Sequence, residues 1–228
     1  MLCVKIIFLN KGDVKMTNEI QAAVNVLAPG MTVSLGGGRH MQALAHAIAD
    51  AELDVTLCSP AVPTRAAITA LGLRLVDLPE HVDWAFDGCD SVDRRRHALK
   101  SNGGIHTFEK LYADIADQYV LVAPPERVVD RLSPAVPLTL EVVPPAVWQV
   151  VRAVSDLGYV ATQRTTGTVT TTPLGNSLVD ITADDWGNIE RLDNAVRAMN
   201  GVVGTSYFDH QVTDILTTDA AGVAVWLK

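Results

Sequence analysis

Between Thr17 and Ala123, short apolar runs alternate with stretches whose apolar residues recur at helical spacing, and that alternation leaves few folds open. After Thr17 or Asn18 as a cap, Ile20, Ala23, Val24 and Leu27 fall at i, i+3, i+4 and i+7, and Pro29-Gly30 ends the stripe. Met31–Leu35 reads as a strand, and Met41, Leu44, Ala45 and Ile48 as one face of a helix. Leu53–Cys58 reads as the next strand, and a third helix ends at Leu71-Gly72. Leu73–Leu78 and Val82–Phe86 follow as strands. A helix over 105–117 is predicted to bury Ile105, Phe108, Leu111, Tyr112 and Ile115, with Tyr119–Ala123 as the strand after it. Strands alternating with helices need crossover connections, so the class is α/β with a doubly wound, mainly parallel, Rossmann-like sheet.

The pattern changes after Arg131, where Pro134, Pro137, Pro144 and Pro145 mark a boundary. Beyond it come a strand (138–143), a helix (146–157), strands near 159–164 and 178–182, a helix (189–199) and a strand near 202–207. That order predicts a small split sheet with helices on one face. Val212–Leu216 and Gly222–Trp226 read as closing strands that return to the first sheet. The expected division is 1–131 plus 208–228 for the larger domain and 132–207 for the smaller.

Composition narrows the function classes. Eighteen basic against 26 acidic residues give a net charge of −8, which repels phosphodiester backbones. Arg94-Arg95-Arg96 is too small a cluster to reverse that, so no nucleic-acid partner is expected. No apolar run approaches the ~18–20 residues that span a bilayer, so no membrane partner is expected either. Hydrophobic residues at 48% exclude a disordered chain. Cys3, Cys58 and Cys89 lack disulfide-framework or zinc-type spacing, which fits a reducing cytoplasm and predicts no metal site. Met1–Asn10 lacks a cleavage pattern and reads poorly as a signal peptide; it reads as an extra edge strand, or as an upstream start with Met16 as the functional beginning.

Three polar segments fall at carboxyl ends of predicted strands, where open α/β sheets bind ligands. Gly36-Gly37-Gly38-Arg39-His40 is a strand–glycine–helix turn; its backbone N–H groups and two basic side chains suit an anion, although a glycine turn also serves where no side chain fits. Asp87, Asp90 and Asp93 lie within seven positions, as solvated turn acids or as acids put to use. Lys100-Ser101-Asn102-Gly103-Gly104 then leads to Glu109-Lys110 on a helix. Together these supply a cation, backbone donors and a general base.

The run FDGCDSVDRRRHALKSNGGIHTFEK resembles the signature of type A ribose-5-phosphate isomerases, DGADEVD…KGGGGAL…EK, with Asp87, Lys100 and Glu109 in register without a gap. PGMTVSLGGGRH is similar to the family's PGxxVGxGTGST, and Ser59–Thr64 falls on its serine-rich second loop. VAPPERVVDRL, PLTLEVVPPAVWQVV, TTPLGNSLVDI and MNGVVGTSYF resemble later family segments, so the likeness covers nearly everything from Met16 onward. Departures fall on binding loops: Arg39-His40 stand for Ser-Thr, Gly37 for a threonine, Ser91 for an acid, Ser101-Asn102 for two glycines, Arg127 for a lysine, and Thr172-Pro173-Leu174 for TDN.

The resemblance implies a Rossmann-like domain with a small ferredoxin-like α+β lid, in a cytoplasmic homo-oligomer, most simply a homodimer, that needs no cofactor. It implies interconversion of ribose 5-phosphate and ribulose 5-phosphate through an enediolate. Glu109 would be the base, Lys100 with Gly103-Gly104 would face the developing charge, and Asp87 and Asp90 would hold hydroxyls and assist ring opening. Substrate contacts are expected from Gly36, Gly37, Gly38, Arg39 and His40, from Ser59, Gly88 and Cys89, and from Ser101, Asn102, Gly103, Gly104 and Arg127. Cys89 also reads simply as a small buried side chain. Two alternatives stay open: an isomerase of another sugar phosphate, and a catalytically idle sugar-phosphate-binding protein. A binding protein needs no base, so retention of Asp87, Asp90, Lys100 and Glu109 together disfavours the second. A dinucleotide fingerprint is absent, since Met41 stands where its third glycine belongs.

Overall fold

The computed structural model describes residues 17–168 and 170–228, so the reading of Met1–Asn10 lies outside the described residues. The first half runs α1 (Asn18–Val24), β1 (Thr32–Leu35), α2 (Arg39–Asp50), β2 (Thr56–Cys58), α3 (Val62–Ala70) and β3 (Val82–Asp87). β4 (Ser91–Asp93), β5 (Ala98–Leu99), α4 (His106–Asp114), β6 (Ala116–Val122) and β7 (Val128–Val129) follow. The second half holds β8 (Leu138–Val142), α5 (Val147–Asp156), β9 (Val160–Gln163), β10 (Ser177–Thr182), α6 (Ile189–Arg197) and β11 (Val202–Thr205). It closes with β12 (Tyr207–Phe208), β13 (Asp214–Thr218) and β14 (Ala224–Leu227).

The six-stranded sheet has the order β2-β1-β3-β6-β13-β14, parallel throughout except for the last pair. Both faces are buried, which is why its strands read as apolar runs. On β6, Val120 and Val122 pack with Ile20, Leu44 and Ile48 of α1 and α2, whereas Tyr119 and Leu121 pack with Tyr112 and Ala113 of α4. The period of two thus feeds two cores. β13 and β14 join this sheet as predicted.

From β1 the chain crosses outward to β2, then returns to the other side of β1 for β3 and continues to β6. This reversal opens a crevice beyond the carboxyl ends of β1 and β3. Gly36–Gly38 leave β1 there, and Asp87 ends β3.

A second sheet, β11-β8-β10-β9, is antiparallel, and its β8-α5-β9-β10-α6-β11 succession is the ferredoxin-like pattern. Its core gathers Leu140, Val142, Val150, Val179, Leu192 and Val196.

Three local expectations change. Leu73–Leu78 forms no strand; Leu75 makes a single bridge to Leu57, because the segment runs at the rim beyond the short edge strand β2. The helix expected over 105–117 covers only 106–114 and buries His106, Glu109, Tyr112 and Ala113, leaving Leu111 44% exposed. Its inward face is partly polar because one end abuts the crevice. The strand expected to run to Tyr207 divides at Ser206, and β12 enters a third small sheet, β12-β5-β4-β7, which no periodicity announced because its strands are two or three residues long.

Candidate active site

The crevice holds a cavity of about 220 Å³, and Asp87, Asp90, Lys100 and Glu109 all line it. Gly37, Gly38, Gly88, Cys89, Gly103 and Arg127 complete the predicted residues found there. Gly36, Arg39, His40, Ser59, Ser101, Asn102 and Gly104 lie outside its lining. A larger groove of about 380 Å³ runs past Gly158–Val160 and Thr182–Asp185, but its lining contains no Lys, Arg or His. The acid–base groups converge on the smaller cavity.

Lys100, at the end of β5, is the hub. Its Nζ lies 3.0 Å from Asp87 Oδ2 and 3.3 Å from Glu109 Oε1, and it donates to the carbonyl of Gly88. All three side chains are at least 93% buried. Burial pulls the ammonium down, but Asp87 and Glu109 outweigh it and hold Lys100 above the ordinary lysine value. Burial pushes the Glu109 carboxyl up to about 8, with Lys100 opposing and Asp87 adding to the rise. A carboxyl tuned upward beside a fixed cation is a candidate general base.

The two aspartates differ in what they have left to offer. Asp87 Oδ1 accepts from the N–H groups of Gly37 (3.2 Å) and Gly88 (2.7 Å), and Oδ2 from Tyr119 Oη (3.2 Å) and Lys100. Four donors fill its lone pairs. Asp90 accepts from the N–H groups of Ser101 (2.7 Å) and Asn102 (2.9 Å) at Oδ2, and from Asn102 Nδ2 (2.7 Å) at Oδ1. One acceptor position remains on Asp90.

Gly36 is glycine for a steric reason. A Cβ there would stand 1.9 Å from the Asp87 carboxylate. Gly36→Ala is expected to displace Asp87 and, through it, Lys100, lowering kcat/KM about a hundredfold with a folded circular-dichroism spectrum. Unchanged kcat/KM would show that the contact gives way freely.

The remaining predicted residues support the loops. Ser59 Oγ accepts from the N–H of Ala61 (3.1 Å), and the second loop touches the first through Thr64 Oγ1, which donates to the Gly36 carbonyl (2.7 Å). Gly38, at φ +91°, turns the chain into α2, leaving Arg39 and His40 exposed on its first turn. Arg127 Nη1 donates to the carbonyl of Cys89 (2.6 Å). Burial pushes the Cys89 thiol up to about 12, so it stays protonated and serves as packing rather than as a nucleophile.

Sequence reasoning missed Tyr119, whose phenol holds Asp87 and whose ring stacks on Phe208 at 5.9 Å. It also missed Phe208, 5.8 Å beneath Lys100 Nζ, and Ile105 in the cavity wall. A tyrosine at the head of the apolar run Tyr119–Ala123, just after α4, was the available signal.

Fold and site together define an α/β protein with a buried lysine–carboxylate cluster at its topological switch point. The family model described as ribose 5-phosphate isomerase A (phosphoriboisomerase A) matches residues 57–222. Ribose-5-phosphate isomerase A of Thermosynechococcus vestitus is 32% identical over 210 residues, covering 86% of this chain and 87% of its own. Its counterpart in Methanocaldococcus jannaschii is 30% identical over 230 residues, covering 96% and 100%. The solved structure of ribose 5-phosphate isomerase A from that archaeon is similar with a TM-score of 0.85 and 27% identity, covering 92% of this chain and 96% of its own. This chain belongs to the ribose 5-phosphate isomerase A family.

Proposed function

We propose that this chain interconverts ribose 5-phosphate and ribulose 5-phosphate, with Glu109 as the single base. The observation that carries the reading is the buried Glu109–Lys100–Asp87 cluster on the wall of a cavity roofed by glycine loops. Family membership supplies the substrate class.

In the forward direction Glu109 takes the proton from C2 of the open-chain aldose, and negative charge moves to the C1 oxygen. The Lys100 ammonium and the N–H of Gly103, both on the cavity wall, stabilise that oxygen. Transfer of the proton from Glu109 to C1, with proton exchange between the two oxygens, yields the ketose and restores the carboxylate. Asp90 offers its free acceptor position to a substrate hydroxyl, and Asp87 aims Lys100. The phosphate sits over Gly38 at the start of α2, flanked by Arg39 and His40, where the helix dipole and the N–H groups of the first turn favour an anion; the Gly37 N–H is already given to Asp87. The charge that a metal would bring is supplied by Lys100. A homodimer, expected from the sequence resemblance, belongs to the same proposal and is tested by sedimentation.

A coupled assay over a panel of aldose and ketose phosphates tests the reading: turnover is expected with ribose 5-phosphate. Turnover only with another sugar phosphate would favour an isomerase of altered specificity, and turnover with none would overturn both. The pH profile adds a sign. Protonated Glu109 cannot accept the C2 proton, so kcat/KM should rise with pH through the free-enzyme value of about 8 and level off above it. A profile falling over that range would contradict Glu109 as base.

A further inference from the structure

Arg164 leaves the end of β9 in the second sheet and reaches the loop that follows Lys100. Its Nη1 donates to the carbonyls of Ser101 (2.8 Å) and Asn102 (3.4 Å). The rest of the guanidinium is fixed from behind: Nε donates to Asp180 Oδ2 (2.8 Å), and Nη2 to Asp180 Oδ1 (2.5 Å) and Thr139 Oγ1 (2.9 Å). Asp180 and Thr139 are register partners on β10 and β8, and Thr139 Oγ1 itself donates to Asp180 (2.7 Å). Five N–H groups thus have five acceptors, in the forked geometry that only arginine offers.

Peptide planarity converts this anchor into a statement about the site. The described peptides are all trans, so each carbonyl points opposite to the N–H of the next residue. The Ser101–Asn102 peptide is held at both ends: its N–H donates to Asp90 Oδ2, and its carbonyl accepts from Arg164. In the next peptide, the Asn102 carbonyl lies toward Arg164, which turns the Gly103 N–H away from the guanidinium. Gly103 lines the cavity. Gly104, at φ +64°, packs so closely on β10 that a Cβ would stand 2.6 Å from Leu178 Cδ1.

We propose that Arg164 is a positioning residue for isomerisation: from the second sheet it holds the Ser101–Asn102 peptide against Asp90 and orients the Asn102–Gly103 peptide, whose N–H faces the enediolate oxygen. The proposal rests on the isomerase reading. A staple that merely joined the sheets would lower stability without selecting kcat.

The test compares R164Q, R164K and, as a control, R197Q, which breaks a different pair in the same half of the chain, Arg197 with buried Asp193 at 2.6 Å. R164Q is expected to lose about 10- to 100-fold in kcat with KM within about threefold, and to show faster amide exchange at Asn102–Gly104. R164K keeps the charge but cannot bridge Asp180 and Ser101 at once, so it should recover only part of kcat. R197Q should lower the melting temperature while keeping kcat within about twofold. A folded R164Q with wild-type kcat, or an equal kcat loss in R197Q, would overturn the proposal. If R164Q does not fold, R164K with wild-type kcat overturns it instead. If the wild type turns over no sugar phosphate, the isomerase reading fails, and unchanged loop exchange in R164Q or R164K would independently reject the positioning role.

Discussion

Glu109→Gln is expected to lower kcat by about 10²–10⁴-fold while KM stays within about threefold. The amide is nearly isosteric and keeps an oxygen for Lys100, 3.3 Å away in the native protein, but it cannot take a proton. Substrate affinity is expected to survive because the proposed phosphate and hydroxyl contacts come from other elements. Steady-state kinetics in both directions checks this, and both should fall together, since one base serves both. A variant keeping a third of wild-type kcat would remove Glu109 from the mechanism.

Lys100→Met should be the more damaging change, because it strikes stability and chemistry together. Lys100 lies between Asp87 and Glu109 with 4% of its side chain exposed, so its loss leaves two buried carboxyl groups without their cation. Breaking a buried pair from one side costs about 3–5 kcal/mol. The cost should depend on pH with a definite sign. Burial already raises Glu109, and without Lys100 nothing as close opposes that rise. A folded-state pKa above the unfolded one contributes stability in acid and loses it as pH climbs through the folded value. The melting temperature of Lys100→Met should therefore lie closest to wild type near pH 5 and fall furthest below it near pH 8.5. At every pH, kcat should be reduced at least about a hundredfold, the usual cost of removing one transition-state charge partner. A deficit in melting temperature independent of pH would mean that Lys100 contributes packing rather than charge.

Much of the fold was legible because a doubly wound sheet writes its burial into the sequence. Val120, Leu121 and Val122 are all apolar because β6 is covered on both sides, and α2 shows Met41, Leu44 and Ile48 as a clean stripe because solvent covers its other face. The candidate site was legible through charge: a lysine and several acids close to apolar strands need a reason to be there. Three things were hidden. The third sheet pairs segments from three distant parts of the chain through strands too short for periodicity. The inward face of α4 mixes His106 and Glu109 with Tyr112 and Ala113, so an apolar template rotates it wrongly. The partners of Asp87 and Asp90 come from Tyr119 and from loop N–H groups, and backbone donors leave no mark in side-chain identity. Arg164 was hidden for a related reason: its acceptors on the loop that follows Lys100 are carbonyl oxygens.

Proton transfer itself is the most direct test of the central claim that one carboxylate moves a proton between C2 and C1. Ribose 5-phosphate incubated in D₂O with the wild-type enzyme and with Glu109→Gln can be followed by proton NMR. The wild type should consume the C2–H signal and yield ketose with deuterium at C1, to the extent that the Glu109 proton exchanges with solvent. Glu109→Gln should bind the sugar phosphate, leave the C2–H signal intact and place no deuterium at C1 over the same period. Deuterium appearing at C1 in Glu109→Gln at a rate within about tenfold of wild type, less than a positioned base contributes, would show that another group carries the proton.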